Sequence, residues 1–277
     1  MDLRSLAHAL QLPFIPRSPC LVVAHPDDET LGASTLLPVL GHAAFVFLTD
    51  GSPADGNDAA RLGLTQTAYA ACRRAERDAA LSLGCCRPPA TRELNLRDQT
   101  ASLHLPALAQ TLADHFEKTR CDLVLTHAYE GGHPDHDAAA FSVHAAVRLL
   151  TRRAPIIIEM ALYHAAAGAF TSNSFIHAAG ALTVHLTAGE QARKRRLLAC
   201  YNSQAGTLAL FSQVQEQFRL APQHDFTRPP HRGPLHYESQ PWGMTGPRFT
   251  SLARAALTEL GFEGDNPASV AQAEAAC

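Results

Sequence analysis

Short apolar runs punctuated by polar turns recur along this chain, and between them lie longer segments whose apolar positions repeat every three or four residues. The first run, Cys20-Leu21-Val22-Val23-Ala24, predicts a buried strand. The same pattern predicts strands at 42–49, 91–96, 122–126, 156–162 and 181–186. Helices are predicted at 29–40, 61–83, 103–118, 136–151, 188–202 and 251–260, with a short one inside 1–19. Over 103–118, Leu105, Leu108, Leu112 and Phe116 share one helical face. Asp50-Gly51-Ser52-Pro53 predicts a turn that stops its strand, residues 53–60 a polar loop, and Gly84 a helix-ending residue. Strands alternating with helices imply an α/β fold with a mostly parallel sheet and right-handed crossovers. Ligands of such sheets sit beyond the strands' carboxyl ends. The chain reads as a single domain, 1–277, with a core over about 18–220. Residues 221–250 are loop-rich and read as a lid, and residues 262–277 as a disordered tail.

Two strand ends carry the same kind of chemistry. After the first strand comes Ala24-His25-Pro26-Asp27-Asp28-Glu29, one imidazole and three carboxylates within five positions. Adjacent acids against a buried strand end are costly unless something positive sits there, and a divalent metal would serve. Residues 121–137 repeat the plan: the run Leu123-Val124-Leu125, a glycine-containing loop, then His133-Pro134-Asp135-His136. His133 and His136 are three apart, as are His25 and Asp28, so each pair shares a face on a first helical turn. Converging on one ion, the two units offer two histidines, one aspartate and an open position, the ligand set of a catalytic zinc. Spacing alone does not separate Asp27 from Asp28.

Charge and composition narrow the partners. A net charge of −3 and a pI near 6.6 give no reason to expect nucleic acid or an anionic membrane. No apolar stretch approaches the roughly 20 residues of a membrane span, and the N-terminal segment lacks a signal-peptide core, so a cytoplasmic protein is expected. Seven cysteines, an odd number without a CxxC, read as reduced thiols, leaving His and Asp to bind any zinc. The basic run Arg193-Lys194-Arg195-Arg196 reads as a solvated helix face. His104, His115, His144 and His164 read as packed or surface residues. The sequence is compatible with a homo-oligomer without requiring one.

The pair AHPDDE and HPDH resembles the PIG-L/LmbE-type zinc-dependent N-deacetylase family, and Arg73, Glu76 and Ala80 resemble that family's R-x-x-E-x-x-x-A helix. The resemblance implies a Rossmann-like three-layer α/β sandwich and one Zn²⁺ per chain. It also implies a small-molecule substrate: an amino sugar or conjugate from which an N-acyl group, usually acetyl, is removed. Carried over residue by residue, His25, Asp28 and His136 match zinc ligands and Asp27 the general base. His133 matches an imidazole that stabilises the oxyanion or acts as acid, with Asp135 orienting it. Arg73 and Asp98 match substrate-contacting positions, with a plain surface charge or ion pair as the competing reading. Where some relatives carry a mobile tyrosine this chain has Gly131, and Tyr129 is the nearest candidate. Trp242 reads as a packing or loop-anchoring residue before a sugar-stacking one. A metal-dependent phosphoesterase would need a second ligand set, and a non-catalytic sugar- or metal-binding relative would lack the base.

Overall fold

A computed structural model of the chain describes residues 1–166 and 168–262, so nearly all of the tail expected at 262–277 lies outside the described residues. Five strands, β1 (Pro19–Val23), β2 (Ala44–Pro53), β3 (Ala90–Asp98), β4 (Leu123–His127) and β5 (Ile156–Met160), are parallel in the order β3-β2-β1-β4-β5. The helices among them are α1 (Leu3–Ala9), α2 (Asp28–Ala33), α3 (Asn57–Arg61), α4 (Gln66–Gly84), α5 (Leu105–Thr119) and α6 (Pro134–Leu149). After β5 come a hairpin of β6 (Tyr163–His164) and β7 (Thr171–Ser172), then β8 (Leu182–His185), α7 (Ala188–Leu198), α8 (Ala205–Leu208), β9 (Gln215–Leu220) and α9 (Gly246–Glu259). β9 pairs antiparallel with β5, and β8 closes that edge.

Alternate strand residues face opposite layers, as the pleat requires. Cys20, Val22, Val46 and Val124 pack with Leu108, Leu112, Phe116 and Phe141 of α5 and α6 and with Phe249 of α9. Leu21, Val23, Phe47 and Leu125 pack with Leu31, Leu81 and Leu197 of α2, α4 and α7. The result is the expected three-layer α/β sandwich. Strand order reverses between β1 and β4, the two strands that carry the acid and imidazole motifs, so both motifs emerge at a topological switch point.

Several elements depart from the linear reading. The helix expected over 29–40 stops at Ala33, because the Glu216 carboxylate of β9 accepts the Ser34 and Thr35 amides at 2.9 and 3.1 Å. β2 continues through the expected turn to pair Pro53 with Asp98, the left-handed Gly51 (φ +65°) absorbing the irregularity. Residues 57–60 of the expected loop are helical, in a short helix that runs to Arg61. Gly84 is the last helical residue of α4 rather than a left-handed cap, and a Cβ there would lie 3.1 Å from Leu37. The basic helix is not wholly solvated: Lys194 is fully buried, its ammonium 2.9 Å from Glu216. The segment before α9 is anchored by buried Phe226, Leu235 and Tyr237. The six described cysteines are free, and no described helix is long and apolar enough to cross a membrane.

Candidate metal centre and its cleft

At the end of β1 the chain turns through Asp27, whose φ of +121° is a costly backbone state for a residue with a Cβ, on the order of 1–3 kcal/mol. Glu29, fully buried, pegs this turn: one carboxylate oxygen accepts the Asp27 amide at 3.0 Å, the other the Thr30 hydroxyl at 2.8 Å and the Tyr201 hydroxyl. The turn leaves Asp28 opening α2 and Asp27 just outside it. Beyond β4, Asp137 accepts the amides of Glu130 and Gly131 at 3.3 and 3.1 Å, shaping the loop that delivers His133 to the N-cap of α6. Gly132 is required there, since a Cβ would lie 2.1 Å from the Tyr163 carbonyl oxygen.

The two ends meet. His25 Nδ1 lies 3.3 Å from His136 Nε2 and 3.3 Å from Asp28 Oδ2, and His136 Nε2 lies 3.3 Å from Asp28 Oδ1. Tetrahedral zinc with bonds of about 2.0–2.1 Å separates its ligands by about 3.3 Å, which the two ring nitrogens match, with one Asp28 oxygen at that distance from each. All three residues line one open cavity of about 430 Å³, which leaves an approach from the solvent side. The opposite ring nitrogen of His25 faces Asp98 Oδ1 at 2.9 Å and Asp135 Oδ2 at 3.3 Å. A carboxylate behind an imidazole holds that N–H and leaves the other nitrogen's lone pair facing the cavity. Donor groupings around the cavity overlap: His25 with His133 and His136, His25 with Asp98, His133 and Asp135, and Asp28 with His127 and His136.

Burial opposes protonation of His25, yet Asp98, Asp28 and Asp135 outweigh it and raise the imidazole well above its ordinary range, so the acids draw positive charge to this site. Burial opposes ionisation of Asp28, yet His136, His127 and His25 outweigh it and hold the carboxyl well below its ordinary range. Burial, with His127 alongside, pushes His136 down to about 3 against the pull of Asp28. Burial pushes Asp27 up to about 7 against the pull of the Arg73 guanidinium, 2.8 Å away.

Each residue singled out from the sequence has a definite position. His25, Asp27, Asp28, Arg73, Asp98, His133 and His136 line the cavity. Arg73 is buried and bonds Asp27 and the Pro26 carbonyl. Asp98 faces the imidazoles of His25 and His133. Asp135 does not orient His133 through its carboxylate, which is 4.0 Å from that ring and instead accepts the amides of Gln99 and Ala101 at 2.6 and 2.9 Å. Its backbone N–H does bond His133 Nδ1, at 3.1 Å. Tyr129 lies away from the cavity, its hydroxyl donating to the Arg228 carbonyl at 2.8 Å and its ring packed on Phe226 and Phe249. Tyr163 lines the cavity instead. Trp242 also lines it, 4.5 Å from the His133 ring.

Linear reading missed His127. Its Nε2 accepts the Ala24 amide at 3.0 Å and lies 3.3 Å from Asp28, with its ring stacked on His136 at 4.1 Å. The available signal was its position as the last residue of β4, at the same sheet edge as both motifs. Glu130, 5% exposed, was missed as well. Burial pushes its carboxyl up to about 7, with the Ile176 amide and Arg219 opposing and Glu159 adding. An acid whose folded pKa exceeds its unfolded one keeps its proton longer when folded, so its contribution to stability falls as pH rises from about 4.5 to about 7. Glu130→Gln is therefore expected to stabilise the fold by up to about 3 kcal/mol above pH 8 and hardly at all near pH 4.5. Urea unfolding at the two pH values would expose an error if the gain were equal at both.

Residues 20–147 match the family model for PIG-L, described as GlcNAc-PI de-N-acetylase. No curated protein matches the chain by sequence. Among solved structures, the N,N'-diacetylchitobiose deacetylase of Pyrococcus horikoshii superposes with a TM-score of 0.56 at 19% identity, covering 79% of this chain and 90% of that one. The deacetylase of the antimicrobial A40926 pseudoaglycone gives 0.54 at 20% identity, covering 74% and 98%. A deacetylase variant from the teicoplanin biosynthetic pathway gives 0.57 at 17%, covering 76% and 99%. At these identities the likeness is one of fold.

Proposed function

From the match of residues 20–147 to the PIG-L family model, we propose that the protein is a zinc-dependent hydrolase that removes an N-acyl group, acetyl in the simplest case, from an amino sugar or sugar conjugate. The observation that carries this reading is the close approach of His25, His136 and Asp28, which line an open cleft beside buried Asp27: the two ring nitrogens lie 3.3 Å apart and each 3.3 Å from one of the two Asp28 oxygens. These three residues would hold the ion. Zinc bound there supplies Lewis-acid polarisation of the amide carbonyl and brings the acidity of water toward neutrality.

The remaining work falls to the chain. Asp27, braced by Arg73, takes the proton of the water that attacks the carbonyl carbon. His133 Nδ1 accepts the Asp135 N–H, so its own proton resides on Nε2. Burial and the neighbouring His25 keep that ring neutral, which suits it to hydrogen-bond the developing oxyanion. The C–N bond then breaks, the amine leaves with a proton returned through Asp27, and the acyl group departs as its acid. Similarity in fold to three deacetylases supports the same reaction class.

The phosphoesterase alternative is less well supported. A two-metal centre needs ions about 3.5–4 Å apart. Here the grouping with Asp98 and Asp135 sits on the opposite nitrogen of His25, and ions bonded to both edges of one ring would lie farther apart than that; the grouping with His127 relies on an Nε2 that already accepts the Ala24 amide. The test is an amine-release screen of N-acylated amino sugars with the zinc-loaded protein, alongside metal analysis. Amine release with about one zinc per chain is expected; no release from any N-acyl sugar, or phosphate ester cleavage with two ions, would overturn the reading.

A further inference from the structure

The cleft has two unlike walls. An aromatic series leads outward from His133: Trp242 at 4.5 Å, His236 at 6.4 Å from Trp242, and Phe170 at 5.6 Å from His236, with Tyr163 and Phe211 each about 5.5 Å from Phe170. At its outer end Phe170 and Leu210 stand 37% and 65% exposed, an apolar rim that a ligand would cover. The polar part of the lining carries Asp55, Asn57, Asp58 and Gln204. Among the described residues lining the cavity, Arg73 is the one Lys or Arg, and it is already paired with Asp27 and with Glu76 at 3.5 Å. Away from the metal ligands, a phosphate would therefore meet mainly carboxylates, with Arg73 the sole Lys or Arg of the described lining and already beside Asp27. The cavity's volume of about 430 Å³ falls in the lower part of the roughly 300–1,000 Å³ range of small-molecule sites.

From these two walls, and resting on the deacetylase reading, we infer that the substrate is an N-acylated amino sugar bearing an apolar substituent and no phosphate. The polar wall receives sugar hydroxyls, and the aromatic wall receives an aryl or alkyl group. That group belongs either to the aglycone or to the acyl chain, and the probes below separate the two.

The chain's single tryptophan, Trp242, stands on the aromatic wall and reports binding without turnover. Its emission is to be titrated with N-acetylglucosamine, its phenyl glycoside, N-octanoylglucosamine and N-acetylglucosamine 1-phosphate, and amine release measured on the same four. Either the phenyl glycoside (an aglycone subsite) or the N-octanoyl sugar (an acyl subsite) is expected to exceed plain N-acetylglucosamine by about tenfold or more in affinity and kcat/KM. The 1-phosphate is expected to be the poorest. Phe170→Ser and Leu210→Ser, both at exposed positions, should each lower the apolar-to-plain ratio of kcat/KM by about fivefold. Amine release that is indifferent to the apolar group, or best with the phosphate, would overturn this inference and leave the deacetylase reading standing. Tight binding of an apolar probe with no amine release would refute the deacetylase reading and support the aromatic wall as a ligand site.

Discussion

Asp27→Ala should keep about one zinc per chain and lose roughly 10²–10⁴-fold in kcat for amine release, the usual contribution of a positioned general base. Asp27 lies outside the donor set but borders the same cavity, so its removal takes away a proton acceptor and not a ligand. The loss should appear in kcat more than in KM, because the carboxylate acts as the proton moves and not as the sugar docks. Alanine also strips buried Arg73 of its closest anionic partner, so Asp27→Asn serves as the companion variant, retaining an oxygen for the guanidinium while removing the base. Both variants should fold and bind metal. If either keeps more than about a tenth of wild-type kcat, the assignment of the base is wrong.

His25→Ala should instead empty the centre. His25 supplies one member of the donor set and, through its other nitrogen, engages Asp98 and Asp135. Loss of an outer-shell partner alone commonly costs about 10–100-fold in metal affinity, so loss of a ligand should exceed 100-fold. Purified variant should carry well under one equivalent of zinc and release no amine. Because an ion that binds only the native state stabilises it, a chelator should lower the Tm of the wild type and leave that of the variant nearly unchanged. A full equivalent of zinc on purified His25→Ala would refute its role as ligand.

Both variants test a site that was partly legible before folding was considered. The β-branched runs that became β1 and β4 are buried along their whole length, which is why a simple apolar run sufficed to find them. The acids and imidazoles directly after them had no apolar reading to compete with, and five of them, His25, Asp27, Asp28, His133 and His136, line the cavity. β9 was invisible for the opposite reason. Gln215–Leu220 reads as polar chain, yet Glu216 and Arg219 are buried and held by Lys194 and Glu159, partners 22 and 60 residues away. A residue whose polarity is neutralised by a distant partner looks like a loop in a linear reading. The early end of α2 has the same origin, since the carboxylate that takes the Ser34 and Thr35 amides comes from β9.

Residue order alone set which chemistry is available: two strand–turn units whose spacing puts acid and imidazole at the start of a helix, in an α/β chain with a mostly parallel sheet. Local periodicity and residue type carry that information, because each unit is built within a few consecutive residues. Only the tertiary structure decided the rest: that β1 and β4 are neighbours at the switch point, that His127 and Arg73 stand against the motif acids, and that Tyr129 faces the core while Tyr163 faces the cleft. Those are facts about which distant segments touch, and contact is settled by packing the two faces of the sheet rather than by any stretch of chain alone.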